Sequence, residues 1–148
     1  MTPEKKSQRL QVVFRVVEEE ERKATEAVQA SRSRLQQEQR RLLELQTWYY
    51  EYEKMICSRR EGMRASEISR GRHFLTELAR MQDQQTQHIS QLESDLGTKL
   101  DAWRASHLRY QSLEKLIARA RRDENLLLDK KEQKMLDDWF AGRRLKKD

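Results

Sequence analysis

Apolar residues recur along the first arm of the chain at alternating spacings of four and three. With Phe14 at heptad position a, the a positions are Phe14, Glu21, Val28, Leu35, Leu42, Tyr49 and Ile56. The d positions are Leu10, Val17, Ala24, Ser31, Glu38, Leu45 and Tyr52. Only Glu21, Ser31 and Glu38 break the stripe. A 3-4 spacing held over this length predicts a helix over about 5–57 with a coiled-coil seam. The pattern lapses in "CSRREGMRASEISRGRH", which contains Gly62 and Gly71. Gly62 is expected to end the first helix in a left-handed conformation. Ser66 or Ser69 is expected to cap the next helical segment. The stretch therefore predicts a turn near 58–66, with a short helical turn around Glu67 to Arg70.

A second seam opens at Leu75. It continues through Leu78, Gln82, Gln85, Ile89, Leu92, Leu96, Lys99, Trp103, Ser106, Tyr110, Leu113, Ile117, Ala120 and Leu127. Lys99 is a misfit beside an apolar Leu100, so a local change of phase is expected there. Gly97 weakens the same turn of helix. The simplest structure is all-α: one domain, 1–148, folded as a long two-helix antiparallel coiled-coil hairpin. Helix 2 would cover about 72–141, and a basic tail 142–148. Each arm would run roughly 70 Å at 1.5 Å per residue. If Ile56 lies opposite Leu75, Leu10 lies opposite about residue 121, and everything after Leu127 overhangs.

Composition supports a helical rod over a globule. Charged residues make up 38% of the chain and hydrophobic ones 36%, with four Gly and one Pro, too few apolar and turn residues for a three-dimensional core. The abundance of Gln, Glu, Leu, Arg, Lys and Ala favours helix over disorder. A single cysteine, Cys57, excludes an internal disulfide and fits a reducing compartment. No apolar run reaches the length of a membrane span, and the stretch from Val12 to Val17 is too short and too charged for a signal-peptide core. These features read as a soluble intracellular protein. The net charge of +6 arises from interleaved acids and bases, which describes a solvated helical face. The basic "RRLKK" at 143–147 leaves a nucleic-acid or acidic-lipid contact as a minor alternative.

The stretch "LQTWYYEYEKM" concentrates Trp48, Tyr49, Tyr50 and Tyr52. Tyr49 and Tyr52 belong to the seam, whereas Trp48 falls at g and Tyr50 at b. In an antiparallel pair, g positions face g positions. Trp48, Met55, Phe74 and Met81 should therefore gather on one flank near the turn. The opposite flank, with Gln46, Glu53, Ala79 and Thr86, is mostly polar. Apolar surface on one flank only suits a protein-docking face. Closure of a wide seam by bulky side chains is the alternative. A second apolar face lies in the overhang, where Leu128, Met135 and Trp139 share spacings of seven and four. It would bind another protein, fold back, or meet its own copy.

Reaction chemistry has no foothold. Four scattered glycines make no phosphate loop, His73, His88 and His107 have no ligand spacing, and Cys57 has no evident His partner. A two-helix rod also offers no water-excluding pocket. No enzyme and no cofactor or metal is expected.

The chain resembles the FliJ family of the bacterial flagellar type III export apparatus. The likeness is carried by "RLQVVFRVVEEEERKA", by "YEYEKM" and "RHFLTELARM" on either side of the turn, and most specifically by "DKKEQKMLDDW" at 129–139. Ile68 stands where the family has a larger residue. The resemblance implies a non-enzymatic, monomeric coiled coil similar to the central stalk of rotary ATP synthases. Its implied partners are the hexameric export ATPase (FliI type) with its regulator (FliH type), the cytoplasmic domain of the export gate FlhA, and export chaperones that it recycles. Nucleic acid is not expected as a partner. It implies a cytoplasmic protein peripherally associated with the inner membrane at the flagellar base. The family's gate-binding face, carried over, falls on Arg41, Leu45, Trp48, Tyr52, Phe74, Leu78, Met81 and Gln85. By analogy with the stalk, the ATPase end would use Leu10, Val13, Val17, Leu128, Met135 and Trp139. Remaining alternatives are the equivalent stalk of a virulence injectisome (YscO class), a plain homodimeric coiled-coil scaffold, and a basic nucleic-acid binder.

Overall fold

Helix formers dominate both arms, and the computed structural model is helical nearly throughout the residues it describes, 5–147. Residues 1–4 and 148 lie outside it. Helix α1 spans Lys6–Ser58 and helix α2 spans Ala65–Lys147; a short 3-10 turn, Arg60–Gly62, stands between them. The expected all-α, two-helix antiparallel coiled-coil hairpin is what forms.

The connection differs from expectation in two ways, and the C-terminal end in one. No glycine adopts a positive φ. Gly62 instead closes the 3-10 turn, donating its N–H to the Arg59 carbonyl at 3.1 Å, and Met63 is extended. Ser66 and Ser69 cap nothing, because α2 begins at Ala65, ahead of the residue 72 expected from the seam; its first backbone bonds run from Glu67 and Ile68 N–H to the Arg64 carbonyl. The basic stretch expected as a tail from 142 is helical to Lys147.

The chain divides into two compact units, residues 24–103 and residues 1–23 with 104–148. In the unit of residues 24–103, α1 and α2 bury Val28, Leu45, Ile56, Leu78, Ile89 and Leu92 between them. Ile56 meets Gly71, where a Cβ would stand 2.7 Å from Ile56 Cδ1. The pairing is thus one helical turn away from the expected Ile56–Leu75 match. Gly71 is buried, and with Ile68 and Leu75 it continues the seam back toward the turn. Lys99 is exposed and Leu100 half-buried, the expected change of phase. Polar seam residues are satisfied. The Gln85 amide donates to the Glu38 carboxylate at 2.7 Å and to the Glu38 carbonyl at 2.9 Å. Trp103 Nε1 donates to the Thr25 hydroxyl at 3.0 Å.

In the other unit, Leu113, Ile117 and Ala120 are buried. Phe14 packs on Tyr110 with ring centroids 5.1 Å apart. The start of α1 is capped from α2: Glu124 accepts the Ser7 N–H at 3.0 Å and the Ser7 hydroxyl at 2.7 Å. A carboxylate is well placed there, since the first N–H groups of a helix lack intrahelical partners and carry partial positive charge. Beyond Glu124 the seam ends. Leu127, expected in the seam, is 60% exposed, and α1 begins at Lys6.

Candidate functional site

Heptad phase decides where the aromatics of the first arm go. Tyr49 and Tyr52 are half-buried on the seam, whereas Trp48 and Tyr50 remain exposed. Phe74, on α2, comes up against Tyr52 with centroids 4.6 Å apart at 59°. That tilted contact is among the favoured geometries for ring quadrupoles. A groove of about 340 Å³ results, lined by Trp48, Glu51, Tyr52, Met55 and Phe74. Trp48, Met55 and Phe74 therefore gather as the g–g pairing predicts. Met81 is exposed too, but it does not line the groove. Glu51 does, though the heptad pattern singles out no reason for it; its position three residues after Trp48 is the only signal in the sequence.

The other residues of the expected gate face are occupied differently. Leu45 and Leu78 are buried in the seam, so they support the surface from beneath. Gln85 spends its amide on Glu38. Arg41 lies exposed, with a guanidinium N–H 3.3 Å from Glu38 Oε1. The Gln85 hydrogen bond is the largest influence holding the Glu38 carboxyl below its usual range; the charges of Arg41 and His88 add to it. The result is a buried but charged acid at the border of the face.

The overhang carries the second surface. Val13, Leu128, Met135 and Trp139 are exposed, whereas Leu10 and Val17 are half-buried in the seam. Glu132, Met135, Leu136 and Trp139 line a shallow hollow of about 580 Å³. Trp139 is fixed by its neighbours: Phe140 meets it edge-on at 5.1 Å, and the Arg143 guanidinium sits 4.3 Å from its ring centroid. Glu132 and Leu136 belong to this hollow and were not singled out by the spacing of Leu128, Met135 and Trp139.

Among the described residues, no group of three His, Cys, Asp or Glu could hold a metal ion. His107 Nδ1 lies 3.5 Å from Glu21 Oε1, and its ring runs nearly parallel to that of Tyr110 with centroids 6.4 Å apart. Tyr110 is held above its usual range by burial first and by nearby glutamates second. No described helix is long and apolar enough to cross a membrane.

Fold and surfaces together define a small all-α coiled-coil protein whose exposed features are apolar grooves. Its family is defined by the sequence as a whole. The chain belongs to the FliJ family: the family model described as "Flagellar FliJ protein" matches residues 6–147. It is accordingly a structural component of the flagellar type III export apparatus. No curated protein and no solved structure matches the chain.

Proposed function

We propose that the chain couples two parts of the export apparatus by binding each of them, with no chemistry of its own. The observation that carries this reading is the groove of Trp48, Tyr52, Met55 and Phe74. A two-helix coiled coil has no third layer to cover it, and aromatic and Met side chains are the types that dominate interface hot spots. This groove, with Arg41, Met81 and Gln85 at its surroundings and Leu45 and Leu78 beneath, takes the export gate, the cytoplasmic domain of an FlhA-type protein. The overhang with Leu128, Met135 and Trp139, together with Leu10, Val13 and Val17, takes the export ATPase and its regulator. Export chaperones are handed on in the course of that coupling. The chain works at the cytoplasmic face of the inner membrane, held there by these proteins.

Binding of purified gate domain and purified ATPase to the full chain tests the assignment. Trp48→Ala/Phe74→Ala is expected to weaken gate binding at least about tenfold, the scale of two hot-spot truncations, and to leave ATPase binding unchanged. Met135→Ala/Trp139→Ala is expected to do the reverse. Loss of both partners in either variant, with helicity intact, would mean one shared site.

A further inference from the structure

Helix α2 continues for more than twenty residues past Glu124, which accepts from Ser7 at the start of α1, and every residue from Asn125 to Leu145 is exposed. Most helical stability in proteins comes from tertiary packing of an apolar face, which these exposed residues do not supply. Its own support is local: Gln133 to Asp137 at 3.3 Å and Arg143 over Trp139. Yet it carries a stripe, Leu128–Glu132–Met135–Trp139, at spacings of four, three and four. This is a coiled-coil seam with no second strand. The stripe runs one residue ahead of the seam that faces α1, so it is turned by about 100° around the helix. A helix laid on it would not compete with α1.

The charges beside the stripe say what that helix is. We propose that the overhang is a self-pairing surface on which a second copy of this chain lies antiparallel, with Lys131 of each copy facing Asp138 of the other. In the register that sets Leu128 opposite Trp139 of the second copy, Glu132 falls opposite its Met135. The two-fold relation repeats each contact. Lys131 and Asp138 occupy the flank that meets itself across an antiparallel pair, so both of their contacts join opposite charges. On the other flank Leu136 lies beside Asp129. Arg143 approaches Arg122 of the second copy only at the rim, a modest unfavourable contact. Glu132 in a core slot marks the register and weakens the pair. The buried surface is at the small end of specific interfaces, so the pair is weak and concentration-dependent.

The pairing itself needs nothing from the proposed function. One consequence does rest on that reading: the stripe contains Leu128, Met135 and Trp139, so a paired chain could not engage the ATPase through them. Self-pairing would then be the resting form of unbound protein.

Sedimentation equilibrium of the full chain, from low micromolar to near-millimolar concentration at low salt, decides the matter. The wild type is expected to rise from the mass of one chain toward two. Lys131→Glu and Asp138→Lys should each raise the midpoint at least about tenfold, since each variant sets like charges against one another twice. An equimolar mixture of the two variants should associate again, because every mixed pair regains two opposite-charge contacts. Trp139→Ala should remain a single chain, and Glu132→Leu should pair more tightly. The proposal is overturned if the wild type stays a single chain throughout. It is equally overturned if association ignores Lys131→Glu and Trp139→Ala, or if the mixture associates no better than its components. None of these readings involves the ATPase, so pairing and ATPase binding fail separately.

Discussion

Gly71 of α2 packs directly against Ile56 of α1, and the contact allows a quantitative prediction. An alanine there would gain about 1 kcal/mol of helix propensity over glycine. Its Cβ, however, would stand 2.7 Å from Ile56 Cδ1 and 3.3 Å from Ile56 Cγ1. Overpacking of this kind costs about 1–3 kcal/mol, so Gly71→Ala alone should destabilise by roughly 0–2 kcal/mol. Ile56→Val removes Cδ1 and costs about 0.5–1.5 kcal/mol through lost burial and the space left behind. In the double variant the alanine methyl enters that space. The remaining 3.3 Å contact with Cγ1 calls for only a small adjustment, and the propensity gain is recovered. Gly71→Ala/Ile56→Val should therefore lie near wild type, with a coupling of about 1–3 kcal/mol between the sites. Urea unfolding followed by circular dichroism at 222 nm measures all four corners of the cycle. Additive effects within about 0.5 kcal/mol would refute the reasoning, because they would mean that Gly71 and Ile56 are not packed against one another.

The polar positions carry two further expected outcomes. Glu38 and Glu124 both have carboxyls held below their usual range by hydrogen bonds, from Gln85 and Ser7 respectively. A depressed folded-state pKa contributes stability above the unfolded value of about 4.5, which is lost as pH falls through the folded value; thermal midpoints should therefore drop on acidification below about 4.5, and by less in Glu38→Gln/Glu124→Gln than in wild type. Thr25→Val keeps the branched shape of the side chain and removes the acceptor of the Trp103 Nε1–H, so it should cost about 0.5–1.5 kcal/mol in urea unfolding, the net worth of one hydrogen bond; an unchanged midpoint would mean that water replaces the bond at no cost.

The seam of α1 was legible in full: each of its fourteen heptad positions is buried or half-buried, because the 3-4 spacing of apolar side chains is also the rule that buries them. The gathering of Trp48, Met55 and Phe74 could be read for the same reason, since antiparallel pairing brings g flanks together. The turn was not legible. A hydrophobic pattern gives no weight to glycine, yet Gly71 is a seam residue chosen for smallness, and once it is counted the stripe Ile68–Gly71–Leu75–Leu78 explains why α2 starts at Ala65. Opening the second seam at Leu75 instead of Ile68 shifts the expected register by one turn. Leu127 was misplaced because periodicity cannot tell where the opposing strand ends. The roles of Leu45, Leu78 and Gln85 within the expected gate face also depend on depth, which a helical wheel does not give. Leu45 and Leu78 lie beneath the surface, and Gln85 is committed to Glu38.

If this chain serves export by binding through the groove of Trp48, Tyr52, Met55 and Phe74, export must depend on those side chains. Secretion of flagellar subunits into the medium reads that dependence in cells lacking the chain, complemented with wild type or with Trp48→Ala/Phe74→Ala/Met81→Ala at matched protein level and helicity. Wild type is expected to restore secretion, and the triple variant is expected not to. Secretion restored equally by both would contradict the proposed role and leave the aromatics as closure of a wide seam.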